Sequence, residues 1–208
     1  MVTHVTNPPL IQPPTALLPR LVVAEAALGL VGVILARLAG IELAPDIAAL
    51  HRSLVTGIVA TGPLLVALAA LATSRLKPVA RLRDAAIGLF GDFVVDAPQP
   101  ALALLSLAAG VGEETLFRGA LQPWAVAAWG SGWGWAVVSL AFGALHAASV
   151  SYVAMATLMG AYLGWLSSTH GLAAAIVAHA LYDWAALATL KRLARRRRRG
   201  SGGTRTEA

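Results

Sequence analysis

Long apolar stretches, broken at a few places by clustered charge, set the pattern of this chain. Residues 21–39 and 53–73 are each close to the roughly 20 residues that cross a bilayer as an α-helix. A third apolar segment covers 101–128 after the Pro98-Gln99-Pro100 break, and three more follow at 132–150, 152–168 and 172–190. The expected fold class is therefore all-α, a polytopic membrane helix bundle of about six transmembrane helices. The third segment is long for one crossing, so Pro123 is expected to kink it or end its buried part. Residues 77–95 mix charged and apolar positions without forming a span, the pattern of a short helix at the membrane surface. Gly160 and Gly164, four apart, suit close helix packing.

Charge adds orientation to this pattern. Arg75, Lys77, Arg81 and Arg83 follow the second apolar stretch, and Arg195 to Arg199 follow the last. Six spans place both termini on one side, and that side also holds the basic loop, so the positive-inside rule makes both termini cytoplasmic. Residues 1–19 are proline-rich and lack the charged segment and short apolar run of a cleaved leader, which predicts a cytoplasmic tail. The membrane-embedded domain is expected over 20–190, and a basic, disordered cytoplasmic tail over 191–208. Trp124, Trp129, Trp133 and Trp135 have the look of an interfacial belt on the side opposite the basic loop.

Composition agrees with a membrane location. Of 208 residues, 58% are hydrophobic and 12% charged, against about a quarter charged in soluble domains. The net charge of +6 sits in clusters beside apolar spans, which favours topology signals and contacts to anionic lipid at the C-terminal tail over nucleic-acid binding. With no cysteine, disulfides, thiolate nucleophiles and cysteine-based metal sites are excluded. The alanine-rich, arginine-tailed composition points to a bacterial cytoplasmic membrane.

Against this background a few polar residues stand out. Glu113, Glu114 and Arg118 lie in the third segment, His146 in the fourth, and His179 and Asp183 in the sixth. Each charge at bilayer depth costs roughly 2.5–3.5 kcal/mol unless it is paired or faces a protein interior. Spacing by four puts Glu114 with Arg118, Phe142 with His146, and His179 with Asp183 on common helical faces. Helical rise places Glu113, His146 and His179 at similar depths, so they are expected to converge on one polar pocket. A structural ion pair is the plain alternative for Glu114 and Arg118, as interhelical hydrogen bonding is for the two histidines. Glu25 and Arg37 lie nearer span ends, where snorkelling would account for them.

The ordered set Glu-Glu-x-x-x-Arg, Phe-x-x-x-His and His-x-x-x-Asp, one per apolar segment, resembles the CPBP intramembrane proteases, also called the type II CAAX prenyl endopeptidase or ABI family. The likeness covers about the C-terminal half, from Glu113 to Asp183, with the motifs inside 101–190; the first two spans carry none. It implies a glutamate-dependent endopeptidase that acts on a membrane-associated, in some members prenylated, substrate and needs no metal or other cofactor. By that resemblance Glu113 and His146 would activate a water, and His179 with residue 183 would donate to the oxyanion. Glu114 and Arg118 would brace the helix that presents Glu113.

Asp183 departs from the asparagine of the family's pattern, since an ionised carboxylate has no proton to donate. Either it is protonated, or it holds His179 as an imidazolium that donates alone; the second is the preferred expectation. Two other readings remain open. One is a zinc protease with Glu113, His146 and His179 as ligands, although no His-Glu-x-x-His is present. The other is a non-proteolytic membrane protein of the same fold, such as a scaffold, an immunity factor or a small transporter.

Overall fold

Proline and glycine punctuate a chain that is helical in every described element. The computed structural model describes residues 14–43 and 47–202. In chain order the elements are α1 (Pro14–Leu38), α2 (Ile47–Thr73), α3 (Lys77–Asp96), α4 (Gln99–Glu114), a π-helical segment (Thr115–Leu121), α5 (Gln122–Trp129), α6 (Ser131–Leu145), α7 (Val150–His170) and α8 (Leu172–Gly202). Ala97 and Pro98 are extended and break α3 from α4, because a residue before proline is disfavoured in the helical region. Gly130 and Gly171, at φ of 81° and 89°, end α5 and α7 in a conformation that glycine adopts without steric cost.

Among the described residues, five helices are long and apolar enough to cross a membrane: Leu17–Leu38, Ala49–Thr73, Gln99–Trp129, Val150–His170 and Leu172–Gly200. The protein is an integral membrane protein of the all-α class. The remaining expected span, 132–150, is realised as α6, whose 15 residues extend only about 22 Å, short of a roughly 30 Å hydrocarbon core. It stops at Leu145, with His146 as its C-cap.

Three further expectations need revision. The helix built from α4, the π-helical segment and α5 continues through Pro123, and its departure from α geometry comes earlier, over Thr115–Leu121. Proline lacks an N–H and its ring crowds the carbonyl four residues back. The wider turn ahead of it absorbs that conflict, with the Gln122 N–H reaching the Phe117 carbonyl. At the N-terminus, α1 already begins at Pro14 inside the expected tail, and residues 1–13 lie outside the described region.

At the other end, α8 runs to Gly202 where disorder was expected from residue 191; residues 203–208 lie outside the described region. The basic end of α8 has partners. Lys191 donates to the Ala97 carbonyl, Arg195 to the Val95 carbonyl at 3.3 Å, and Arg198 pairs with Asp92 at 2.8 Å and Asp96 at 3.4 Å. Residues 191, 195 and 198 share a helical face, and they satisfy the open carbonyl end of α3. The expected surface helix over 77–95 is thus present as α3, fastened to α8.

In the bundle, α8 packs on α2 and α4, α1 on α4 and the π-helical segment, and α6 on α7. Small residues set these distances. A Cβ at Gly112 would collide with the Glu25 backbone carbonyl, one at Gly32 would lie 2.7 Å from Leu116, and one at Gly160 would lie 3.2 Å from the Phe142 ring. Helix α1 is thereby pressed against the end of α4 that carries Glu113. Gly112→Ala is expected to destabilise the purified protein by about 1–3 kcal/mol. Thermal unfolding in detergent measures it, and an unchanged midpoint would show that the contact yields freely.

Candidate active site

The polar cluster is assembled where α4 gives way to the π-helical segment. Glu114 is fully buried, and its Oε1 accepts two hydrogen bonds, from Arg118 Nη1 at 2.9 Å and from His179 Nδ1 at 2.8 Å. Arg118 Nη2 then donates to the Gly160 carbonyl of α7 at 2.9 Å. Its guanidinium lies over the Phe142 ring of α6, 4.3 Å from the centroid, an arrangement that gains from desolvation. One turn on, Gln122 Nε2 donates to the Gly164 carbonyl at 3.0 Å and to Ser168 Oγ at 2.9 Å. Helices α4, α6, α7 and α8 and the π-helical segment are tied together through one carboxylate and its arginine.

Glu113, next to this knot, faces a different direction. Its Oε2 lies 3.9 Å from His146 Nε2 and has no hydrogen-bond partner. His146 Nδ1 donates to the Phe142 carbonyl at 2.8 Å, which leaves Nε2 as the free ring position on the Glu113 side. Because His146 follows the last residue of α6, its ring is carried by a chain reversal and not by the middle of a span. Irregular backbone at membrane depth is tolerated where it lines a cavity, and His146 does.

That cavity holds about 330 Å³ and is lined by Glu113, His146, His179 and Asp183. Glu25 of α1, Tyr152 of α7 and Tyr182 of α8 also line it. Arg83, Ser106 and Thr189 add further polar groups, and the remainder is apolar, with Leu68, Leu71, Leu105, Leu187 and Leu190 among the lining residues and α3 contributing Leu82 and Phe90. His179 is buried, and its Nε2 lies 3.4 Å from Asp183 Oδ2.

All seven residues singled out from the sequence, Glu113, Glu114, Arg118, Phe142, His146, His179 and Asp183, are gathered here. Two details differ from expectation. The nearer carboxylate on His179 is Glu114 and not Asp183, so Glu114 orients a histidine as well as bracing its own helix. Glu25 is not a snorkelling residue at a span end; it lines the cavity, with Oε2 buried and lacking a hydrogen-bond partner. A signal for it was present, since Glu25, Gly29 and Gly32 fall on one helical face and no other charge lies between Arg20 and Arg37. Gln122 carried a similar one, four residues after Arg118. Among the described residues, no group of three or more histidine, aspartate or glutamate side chains is placed to hold a metal ion.

The apolar helix bundle thus gathers two glutamates, two histidines and an arginine at one place, with Glu113, His146 and His179 facing the cavity. Residues 97–185 match the family model of the Rce1-like type II CAAX prenyl endopeptidases. All seven residues lie in the matched segment; Glu25 lies outside it. No curated protein and no solved structure matches the chain.

The two adjacent glutamates are expected to respond oppositely to mutation. Glu114→Ala leaves Arg118 and His179 without their shared acceptor and should cost about 3–5 kcal/mol. Glu113→Gln removes no hydrogen bond and should leave stability nearly unchanged. Unfolding of the two variants in detergent compares them; equal losses would contradict this division.

Proposed function

We propose that this protein is an intramembrane endopeptidase that hydrolyses a peptide bond of a membrane-associated substrate, using water activated by Glu113 and His146 without a metal. The observation that carries this reading is the 3.9 Å separation of Glu113 Oε2 and His146 Nε2 on the wall of the cavity. Two acceptors at that distance leave a place for one water hydrogen-bonded to both. As the water oxygen bonds to the scissile carbonyl carbon, Glu113 takes one of its protons; His146 Nε2 receives that proton from Glu113 and passes it to the departing amine as the C–N bond breaks, which restores both groups. The hydrogen bond from Nδ1 to the Phe142 carbonyl fixes the ring for this exchange.

His179 would stabilise the oxyanion. Its Nδ1 proton is committed to Glu114, so a donor toward the substrate has to come from Nε2, and the ring then carries two protons. Glu114 and Asp183, one at each nitrogen, are placed to hold that charged form. Asp183 therefore acts through His179, in keeping with its lack of a proton to donate. The leucine-lined remainder of the cavity suits an aliphatic or lipid-bearing portion of the substrate. In this reading the protein sits in a bacterial cytoplasmic membrane with its arginine-rich end against anionic lipid on the inner face.

Comparing the membrane peptidome of cells that carry the wild type or Glu113→Ala tests the activity. Wild-type-specific cleavage products are expected, and identical peptidomes would contradict the proposal. In a cleavage assay with a substrate so identified, His146→Ala should lose at least about 100-fold in rate. Asp183→Asn should retain substantial activity, and Asp183→Ala should lose much more. Equal losses from the two Asp183 variants would remove its assigned role.

A further inference from the structure

Helix α1 lies outside the matched segment, yet it supplies a carboxylate to the same cavity. Glu25 is held there by backbone packing: its carbonyl lies where a Cβ at Gly112 would be, Gly29 lies against Gly112, and Gly32 lies against Leu116. Glu25 is thus fixed beside the end of α4 from which the adjoining Glu113 projects. Buried polar atoms are ordinarily hydrogen-bonded, and a half-buried carboxylate with a buried, unpartnered oxygen facing a cavity is placed to meet a partner brought by another molecule.

The other groups around the cavity indicate the chemistry of that partner. Glu114 is matched by Arg118 and His179, Asp183 faces His179, and Glu113 faces His146. Arg83, which lines the cavity from α3, spends its Nη1 on the carbonyls of Ala72 and Ser74. Glu25 is the acidic group of the cavity for which no hydrogen bond or ion pair accounts. A cation with N–H donors is its complement, and such a pair inside an apolar cavity is stronger than at a surface.

From this we infer that Glu25 is a specificity-determining residue that receives a cationic group of the substrate, the ammonium or guanidinium of a lysine or arginine near the scissile bond. The inference rests on the endopeptidase reading for its placement of the scissile bond. In it, residues inside the matched segment carry the chemistry and α1 selects what is cleaved. Selection of this kind discriminates sharply, because an uncharged substrate leaves the buried carboxylate unpaired.

The test uses the full chain in detergent and a set of apolar peptides in which one lysine is moved through every position, each paired with a norleucine counterpart. Binding is read by fluorescence anisotropy and cleavage by mass spectrometry, for the wild type, Glu25→Gln and Glu25→Asp. At one position lysine should bind about tenfold or more tighter than norleucine to the wild type. That preference should vanish in Glu25→Gln and persist in Glu25→Asp, the variant that keeps the charge. Absence of a lysine preference at every position, or its survival in Glu25→Gln, would overturn the assignment. Peptides bound with the preference but never cut would leave Glu25 assigned and count against the endopeptidase reading; peptides cut without it would do the reverse.

Discussion

One carboxylate oxygen, Oε1 of Glu114, holds the site in place. It is buried from solvent, accepts from Arg118 and from His179, and so joins the end of α4 to α8. Through Arg118 the same connection reaches the Gly160 carbonyl on α7 and the Phe142 ring on α6. A charge in such a place is tolerable only when it is paired, and Oε1 carries that pairing while Oε2 is buried without a hydrogen-bond partner. Its geometry therefore constrains the helices around it. Gly160 has to lack a side chain for α7 to approach, and Phe142 has to present a flat apolar face to the guanidinium.

Around this fixed knot the chemically useful groups are left less encumbered. Glu113 follows the same helix but points to the cavity, where its Oε2 meets His146 across a gap and not through a direct hydrogen bond. His146 is anchored at its other nitrogen by Phe142, the residue that also supports Arg118. Rigidity in one glutamate and openness in its neighbour are what the proposed hydrolysis would require of the site. The π-helical segment Thr115–Leu121 lies between the glutamates and Pro123, and such segments often occur at functional sites.

Much of this was legible in the sequence, because charges in apolar runs are costly and spacing by four reports a shared helical face. Glu114 with Arg118, and His179 with Asp183, could be paired on that basis, and the convergence of three segments followed from helical rise. What the sequence did not reveal depended on long-range partners. Nothing local says that Glu114 rather than Asp183 is the nearer carboxylate on His179, since those residues are 65 positions apart. The end of α6 at Leu145 was hidden because the apolar run continues past it. The arginine-rich end of α8 has the composition of a tail, yet is helical because α3 offers it open carbonyls and two aspartates. Glu25 was misjudged from its nearness to a span end, when its alignment with Gly29 and Gly32 was the better guide.

The central claim is that a glutamate and a histidine, without a bound metal, suffice to activate water at this site. The most direct measurement is turnover of a cleaved membrane peptide by purified protein whose metal content has been determined, before and after exhaustive chelation. The account predicts no stoichiometric metal and an unchanged rate after chelation. One zinc per chain, with activity abolished by chelation and restored by zinc, would contradict it.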